Sequence, residues 1–378
     1  MTPKSRIPVT LVTGFLGSGK TTFINAGLRA PELQRTVVVV NEFGEVGLDH
    51  QLFAASSDAI VVLENGCLCC TVRGDLITTL NDLYQRRQAG QIPAFDRVVI
   101  ETSGLAEPSP VLQAFLSEPT LDGLFRVARV VTLVDAVNFE GTIAEHDEAL
   151  RQVALADTIL VSKLDLVAGD PAAAQARITS TLRRHNASAE IAPVDMASAA
   201  IAARLTADGF DAADPKADPR RWLAADVEGH AHEHHEHDGH DHTGHDHTDP
   251  HLAGRGIESF VLVRENPLSR GELQFLLDGI AQNLGSSLLR VKGLVNIIEE
   301  PGRPAVIQGA QHLLHTMTWL ERWPDADQRT RVVFITQGLV RKELEEMIAL
   351  LDRMSARTFA ARERGRLARE RVGGNSDA

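Results

Sequence analysis

The hydrophobic pattern divides the chain into two periodic regions separated by a polar stretch. In the first half, short runs rich in valine, isoleucine and threonine alternate with segments of helical periodicity. The apolar runs predict strands at residues 8–13, 36–40, 59–63, 97–100, 127–134 and 158–161. Strands that are apolar on both faces and alternate with helices are typical of a parallel sheet covered on both sides. We therefore expect an α/β domain with a mainly parallel sheet.

One predicted helix follows the polar triplet at 73–75. Leu76, Ile77, Leu80 and Leu83 recur at the spacing that places apolar side chains on one helix face. This face is predicted to pack against the sheet.

The periodicity weakens after about residue 197 and is absent between 226 and 255. It returns with a predicted strand at 259–264, a helix at 270–284, further strands at 288–298, 305–308 and 332–336, and a closing amphipathic helix. That helix is marked by apolar positions at Val340, Leu344, Met347, Ile348 and Leu351. The predicted organisation is an α/β domain (1–200), a mobile linker (201–256), a smaller α+β domain (257–354) and an arginine-rich tail (355–378).

Length and composition agree with two globular domains. The chain has 378 residues, of which 43% are hydrophobic and 24% charged. No segment approaches the roughly 18 consecutive apolar residues of a membrane helix, and the first eight residues lack the apolar core of a signal peptide. We expect a cytoplasmic protein without a membrane partner. The net charge of −13 also disfavours nucleic acid as a partner.

The negative charge is concentrated in the linker. Eight acidic residues and no lysine or arginine lie between Asp226 and Asp249, and ten of the 15 histidines lie between His230 and His251. Nine of these are predicted accessory metal ligands: His230, His232, His234, His235, His237, His240, His242, His245 and His247. Neutral imidazoles at this density bind Zn²⁺, Ni²⁺ or Co²⁺ in many interchangeable arrangements. The alternative is a solvated acidic linker with incidental histidines.

A phosphate-binding loop is predicted between the first strand and the first helix. The sequence GFLGSGKT at 14–21 fits the pattern G-x-x-x-x-G-K-[ST] in full. Backbone N–H groups of such a loop and the N-terminus of the following helix bind phosphate oxygens. Lys20 is predicted to neutralise β/γ charge, and the Thr21 hydroxyl to ligate Mg²⁺. The predicted nucleotide-binding residues of this segment are Gly14, Gly17, Ser18, Gly19, Lys20, Thr21 and Thr22.

Two later strand ends complete the predicted nucleotide site. Glu101 ends an apolar strand, where it would orient a magnesium-bound water, and the Gly104 N–H would contact the γ-phosphate. The tetrapeptide Ser162-Lys163-Leu164-Asp165 follows another strand, and a carboxylate at Asp165 can accept both N1–H and N2–H of guanine. This favours GTP, with the Lys163 stem packed over the base. The alternative is an ordinary strand-to-helix turn in which Asp165 is a cap.

All three cysteines lie within one tetrapeptide, as Cys67, Cys69 and Cys70. They are too close in sequence for an unstrained disulfide between any two of them, and thiolates at this density suit Zn²⁺ or another soft to borderline ion. Three thiolates leave a tetrahedral site open for a fourth ligand or for release of the metal. The alternative is three small buried apolar side chains.

These motifs in this order resemble the CobW-type family of metal-handling GTPases. They are GFLGSGKTT at 14–22, NEFG at 41–44, GCLCC at 66–70, ETSG at 101–104 and SKLD at 162–165. The resemblance covers nearly the whole chain, with serine at 162 where asparagine is more usual.

The resemblance implies a slow GTPase that serves as a metallochaperone for a client metalloprotein or metal-inserting enzyme. It implies a cargo ion held by the three cysteines with help from Glu42, in a first switch at 41–49. GTP with Mg²⁺ would order the switch and cysteine segments, and hydrolysis would release them. Lys20, Thr21 and Glu101 would serve catalysis, and the catalytic base stays unassigned between Glu42 and Asp49.

Zinc is the favoured cargo. The alternative is a GTPase that handles cobalt for cobalamin synthesis or inserts a metal into a metalloenzyme, and a homodimer is left open. The rival hypotheses are a metal storage or sensing protein with a regulatory nucleotide site and a P-loop kinase or ATPase.

Overall fold

The chain contains two β-sheets, each with its own helices. A computed structural model describes residues 6–41, 60–63, 70–196, 200–207, 256–284, 287–310, 313–314, 317–338, 346, 349–350 and 353. The histidine-rich part of the predicted linker (201–256) and most of the closing helix at 340–351 lie outside these residues, whereas the first residues of that linker belong to a helix, Ala200–Thr206. The predicted limits of the domains remain predictions.

The first sheet has seven strands, and every neighbouring pair is parallel. The strands are β1 (Ile7–Gly14), β2 (Thr36–Asn41), β3 (Ile60–Leu63), β4 (Arg97–Thr102), β5 (Phe125–Asp135), β6 (Thr158–Ser162) and β7 (Glu190–Pro193). Their order in space is β3-β2-β4-β1-β5-β6-β7. The predicted parallel α/β sheet is confirmed, and each predicted strand is present with ends that differ by no more than a few residues. The sequence analysis did not predict β7.

Helices cover both faces of this sheet. They are α1 (Lys20–Leu28), α2 (Cys70–Gln88), α3 (Ser109–Ser117), α4 (Pro119–Leu124), α5 (Phe139–Glu145), α6 (Asp147–Leu155), α7 (Pro171–His185) and α8 (Ala200–Thr206). Along β2, Val37 and Val39 pack with the α2 and α3 side, whereas Val38 and Val40 pack with the α1 and α8 side. This alternation is the period of two expected of a strand that is buried on both faces.

The predicted apolar face of α2 is confirmed. Leu76, Leu80 and Leu83 are buried in the same cluster as Phe115 of α3, and Ile77 is partly buried against it. The helix therefore covers the sheet with the side chains that the periodicity selected.

The second sheet is antiparallel and confirms the predicted α+β region. Its elements are β8 (Ile257–Arg264), α9 (Arg270–Leu284), β9 (Leu288–Val295), β10 (Ala305–Ala310), β11 (Leu313–Leu314), β12 (Thr318–Trp319) and β13 (Thr330–Gln337). The strand order is β11-β10-β9-β13-β8, and β12 pairs with β10. Leu273 and Ile280 of α9 are buried against Phe334 in the core of this unit.

The two units share an apolar contact. Ile257, Leu289 and Ile335 of the antiparallel sheet are buried in the same cluster as Val153 of α6 and Leu182 of α7. The C-terminal sheet therefore packs on these two helices.

A polar cluster lies beside that contact. Asp157 precedes β6, and its Oδ1 accepts a 2.7 Å hydrogen bond from Arg290 Nη2 and another from Lys292 Nζ, both in β9. Its Oδ2 accepts from the Val130 N–H at 2.8 Å. Nearby, His185 Nδ1 at the end of α7 lies 3.0 Å from the Ile257 carbonyl oxygen. Ionic and polar bonds thus fix the C-terminal sheet at the strand-start end of β6.

No helix in the described part of the chain is both long enough and apolar enough to cross a membrane.

Candidate nucleotide and metal site

The predicted phosphate-binding loop has the backbone conformations that require glycine. Gly14, Gly17 and Gly19 have φ angles of +139°, +72° and +95°. At Gly14 a Cβ atom would lie 2.3 Å from the Leu133 carbonyl oxygen, so no other residue fits between the loop and β5. The loop is therefore held directly against the sheet.

The loop leads into α1 with its helix N-terminus free of side-chain caps. Gly19 is the N-cap residue, and it supplies no side-chain cap to the helix. The N-terminus of a helix carries partial positive charge, which favours an anion. The side chain of Lys20 is buried, and its Nζ donates to the Phe15 carbonyl at 3.3 Å across the loop.

Thr21 and Glu101 meet at the mouth of this loop. Thr21 Oγ1 donates a 2.7 Å hydrogen bond to Glu101 Oε1, and Glu101 is 3% exposed. A hydroxyl and a carboxylate at one point are hard oxygen donors of the kind that Mg²⁺ prefers. The residues present therefore fit a magnesium ion that is bound through the Thr21 hydroxyl and, through water, the Glu101 carboxylate.

The loop after β4 lies against the phosphate-binding loop. Gly104 is buried, and a Cβ atom there would lie 2.7 Å from the Leu16 nitrogen. Glycine at this position therefore lets the two backbones touch. The carbonyls of Gly104 and Ala106 each accept a 3.0 Å hydrogen bond from Gln152 Nε2 of α6.

Residues at and after the end of β6 form the side of the site where a base is predicted to bind. Ser162 Oγ lies 2.8 Å from the Ser18 carbonyl oxygen and 3.1 Å from that of Val134, so this hydroxyl ties the phosphate-binding loop to β5 and β6. Asp165 is exposed and makes no ion pair or hydrogen bond with another described residue. Its carboxylate is therefore accessible to a ligand.

Lys163 has a strained backbone and a fixed side chain. Its φ of 59° makes it the single non-glycine residue with positive φ in the described ranges. Its Nζ donates to Asp135 Oδ2 at 2.8 Å, and that oxygen also accepts from Asn138 Nδ2 at 2.9 Å. Burial raises the pKa of Asp135, but the bonds from Lys163, Asn138 and the Val137 N–H outweigh it and hold that pKa below its ordinary value. The carboxylate is ionised and holds the lysine in place.

The strands that precede the predicted cargo ligands end at the edge of the sheet where the phosphate-binding loop lies. In the sheet register, Asn41 at the end of β2 is opposite both Leu63 of β3 and Thr102 of β4. The chain continues from these three ends into 42–59, 64–69 and the Gly104 loop. Glu42, Cys67 and Cys69 lie outside the described residues, and Cys70 is the first residue of α2. The described ends of β2 and β3, after which the predicted cargo ligands follow in sequence, therefore lie at the same edge of the sheet as the end of β4.

Within the described residues, no group of three or more His, Cys, Asp or Glu side chains is arranged to hold a metal ion. The nine predicted accessory histidines and the switch residue Asp49 fall outside them. The metal assignments therefore remain predictions.

Sequence reasoning missed three residues that surround the site. Asp135 lies at the end of an apolar strand, as Glu101 and Ser162 do, and this position was a usable signal. Arg151 and Gln152 are consecutive residues of α6, and nothing in their local sequence indicates that they contact the loop after β4.

The comparisons with known proteins agree with this architecture. The family model described as "CobW/HypB/UreG, nucleotide-binding domain" matches residues 8–193, and the model of the "Cobalamin synthesis protein cobW C-terminal domain" matches 257–351. The zinc chaperone YjiA of Escherichia coli is 32% identical over 345 residues, which cover 91% of this chain and 98% of that protein.

Two further similarities extend this comparison. The zinc-regulated GTPase metalloprotein activator 1 of Schizosaccharomyces pombe is 34% identical over 171 residues, which cover 43% of this chain and 40% of that protein. The crystal structure of Zn(II)-bound YjiA GTPase from E. coli superposes with a TM-score of 0.62 at 26% identity, over 92% of this chain and 99% of that one. On these matches, together with the fold and the loop geometry, the chain belongs to the CobW family.

Proposed function

We propose that this protein is a GTPase that binds zinc at its cysteine site and transfers it to a client protein in a nucleotide-dependent manner. The observation that carries the proposal is the contact between Thr21 and Glu101, where the phosphate-binding loop meets the end of β4. The names of the relatives, a zinc chaperone and a zinc-regulated GTPase activator, support the same function.

The nucleotide is GTP. Its phosphates lie on the glycine-rich loop and the N-terminus of α1, where Lys20 neutralises β/γ charge. The exposed Asp165 carboxylate accepts the two guanine N–H donors that adenine lacks, and the Lys163 stem packs over the base. Gly104 provides an N–H toward the γ-phosphate.

Mg²⁺, when bound, supplies charge neutralisation at the β/γ oxygens. The Thr21 hydroxyl and the Glu101 carboxylate would hold it. Because Glu101 is buried and already fixed by Thr21, the site is preorganised before nucleotide binds.

Zinc is the cargo of Cys67, Cys69 and Cys70, with Glu42 as a further ligand. The ends of β2, β3 and β4 lie side by side, which supports a cargo site close to the γ-phosphate. GTP binding assembles the ligands from the two segments, and hydrolysis separates them. The histidine-rich stretch at 229–251 collects metal for this site. Cobalt is the alternative cargo.

Phosphate release from GTP tests the enzymatic part. Lys20→Ala should lower the rate by about 10²-fold or more, because it removes the charge that stabilises the transition state. Arg35→Ala is the matched control, since Arg35 pairs with Asp96 at the opposite edge of the sheet and its loss should leave the rate unchanged. Release that does not depend on Lys20 would favour a storage or sensing protein, and stronger competition by ATP than by GTP would favour an ATPase.

Zinc titration tests the cargo part. The zinc affinity should be higher with a non-hydrolysable GTP analogue than with GDP, and the triple variant with serine at 67, 69 and 70 should lose that difference. Equal affinity in the two nucleotide states would refute the switch.

Deletion of residues 229–251 tests the histidine-rich stretch. We expect a lower zinc stoichiometry with an unchanged rate of GTP hydrolysis. An unchanged zinc stoichiometry would show that this stretch has no part in the mechanism.

A pull-down with the GTP-bound, zinc-loaded full chain, compared with the GDP-bound chain, would identify the client.

A further inference from the structure

Helix α6 contacts the phosphate-binding side of the first sheet and the C-terminal sheet at the same time. His146, the residue before the helix, stacks on Phe15 of the phosphate-binding loop with ring centroids 4.4 Å apart. At the other end, the Leu155 carbonyl accepts a hydrogen bond from Arg290 Nη1 of β9. One nine-residue helix thus spans the distance between the nucleotide loops and the second domain.

Gln152 fixes the loop that follows β4. Its side chain is 1% exposed, and Nε2 donates to the Gly104 and Ala106 carbonyls at 3.0 Å each. The backbone carbonyl of Gln152 accepts a 2.8 Å hydrogen bond from Thr132 Oγ1 of β5. Because the buried Nε2 donates to two carbonyls of the loop and the Gln152 backbone is bound to β5, the loop has few alternative positions as long as α6 does not move.

Arg151 links the same loop to the C-terminal sheet. Its Nη1 pairs with the Glu107 carboxylate, and its Nε donates to Gln337 Oε1 of β13 at 3.2 Å. The planar guanidinium holds both partners in a fixed geometry. A change in the position of β13 therefore changes the position of Glu107, which lies three residues after Gly104.

The C-terminal end of α6 is held just as firmly. Asn186 is fully buried, and its Nδ2 lies 2.8 Å, 3.2 Å and 2.9 Å from the carbonyl oxygens of Val153, Ala154 and Ala156. Because these bonds satisfy the last carbonyls of the helix, α6 responds to a force as a rigid unit.

The Gly104 loop contacts the phosphate-binding loop directly. Gly104 approaches Leu16 so closely that even a Cβ atom would overlap its backbone. Beneath that loop lies a cavity of about 30 Å³, lined in part by Ser18, Leu133, Phe139 and Gln152. This space allows the phosphate-binding loop to change position slightly when α6 moves.

The geometry points to α6 as the coupling element between the C-terminal sheet and the nucleotide site, with Gln152 and Arg151 as positioning residues for the Gly104 loop. Docking of β13 holds the loop in the position that the structure shows, and displacement of β13 releases it. Because coupling between two sites is reciprocal, nucleotide binding at Gly104 also alters the docking of β13. This inference rests on the proposed function only where GTP is used, and the first test below needs no nucleotide.

Hydrogen exchange of the full chain tests the coupling directly. Gln337→Ala removes the partner of Arg151 without touching the nucleotide site, and the amides of residues 104–107 should then exchange at least about threefold faster. Arg331→Gln is the matched control, because Arg331 is also in β13 but pairs with Asp325 and Asp327. Unchanged exchange at 104–107 in Gln337→Ala, or an equal increase in both variants, would overturn the coupling.

The kinetic test asks whether the loop matters for turnover. Gln337→Ala and Arg151→Lys should lower kcat about three- to tenfold with a smaller change in the KM for GTP, since they affect positioning and leave the phosphate contacts intact. Gln337→Glu retains an acceptor for the guanidinium and should restore kcat. A change in KM as large as the change in kcat, or a fall in kcat that Gln337→Glu does not reverse, would contradict a positioning role. Wild-type protein that releases no phosphate would refute the proposed GTPase, and hydrogen exchange would still decide the coupling.

The reverse direction has its own readout. A non-hydrolysable GTP analogue should slow amide exchange at the end of β13 and in β9 around Arg290 in the wild type but not in Gln152→Leu. Identical protection in both proteins would remove Gln152 from the coupling.

Discussion

Thr21 Oγ1 donates to Glu101 Oε1 at 2.7 Å, although the two residues are 80 positions apart in sequence. The parallel neighbours β1 and β4 bring them together, because both strands end at the same edge of the sheet. The bond uses the hydroxyl that would ligate Mg²⁺ and the carboxylate that would orient its water.

The first prediction concerns that carboxylate. Glu101→Gln keeps the shape and an acceptor for Thr21 but removes the negative charge, so the Mg²⁺ concentration for half-maximal GTP hydrolysis should rise about tenfold or more. A magnesium titration of the rate measures it. Glu265→Gln, at an exposed ion pair with Arg329, is the control and should not change the titration. Unaltered magnesium dependence in Glu101→Gln would exclude the assigned role.

The second prediction concerns selection of the base. Asp135→Asn leaves Lys163 without its ionic partner, so the Kd for GTP should rise about fivefold while ATP binding stays weak and unchanged. Fluorescent-nucleotide competition measures both constants. Asp96→Asn removes an exposed carboxylate that pairs with Arg35 far from the site, and it should leave them as they are. If GTP and ATP weaken equally, Asp135 does not act through the base.

The third prediction concerns the ionic cluster between the two sheets. Burial raises the pKa of Asp157, but the charges of Arg290 and Lys292 and the hydrogen bonds from Lys292 and the Val130 N–H outweigh it and hold that pKa well below its ordinary value. Burial and the nearby Arg290 charge, opposed by Asp157, lower the pKa of Lys292 to about 8. Lys292 is still mainly charged at neutral pH.

Asp157→Asn should therefore lower the free energy of unfolding at pH 7 by about 3 kcal/mol, because Arg290 and Lys292 lose their counter-charge. The carboxylate contributes stability above its unfolded pKa of about 3.9 and loses it as the pH falls below that value. Urea unfolding at several pH values should show a gap between wild type and variant that is constant from pH 7 to 5 and narrows below pH 4. A gap that stays constant below pH 4 would contradict this assignment.

The fourth prediction concerns His185. Burial lowers the pKa of His185, the charge of Arg184 lowers it further, and the hydrogen bond to Ile257 and the charge of Glu258 oppose the shift. The unfolded chain therefore binds a proton near pH 6.5 that the folded chain resists, and the stability falls as the pH drops below about 6.5.

His185→Asn keeps a donor near the position of Nδ1 and removes the titrating group. We expect a variant that is less stable at pH 8 but loses less unfolding free energy between pH 7 and 5 than the wild type does. Thermal or urea unfolding at these pH values measures the difference. Equal losses in the two proteins would show that His185 does not titrate in this range.

Most of the fold was predictable because its buried strands are apolar along their whole length. Each such strand can be predicted from its own residues, without knowledge of the strand with which it pairs. The strand β7 was missed because Glu190–Pro193 is short, ends in proline and is only partly buried. The two-residue strands β11 and β12 exist only through pairing with β10, and such pairing has no local pattern.

The site was predictable where backbone conformation dictates sequence. Gly14, Gly17 and Gly19 have positive φ angles, and the Lys20-Thr21 pair follows them directly. The sequence motif at 14–21 is therefore sufficient to predict the conformation of the loop. The functions we assign to Gln152 and Arg151 depend on which loop and which strand α6 meets. These contacts are set by tertiary packing, which a single sequence does not reveal.

At position 163, where the backbone is left-handed, folding stability and nucleotide binding favour different residues. A lysine with positive φ costs about 1 kcal/mol that glycine or asparagine would not cost. A library screened only for thermal stability should therefore enrich glycine or asparagine at 163, whereas a library screened for nucleotide binding should retain lysine. Design methods that optimise this fold for stability would remove the residue, and natural variation at 163 should follow the ligand rather than the fold.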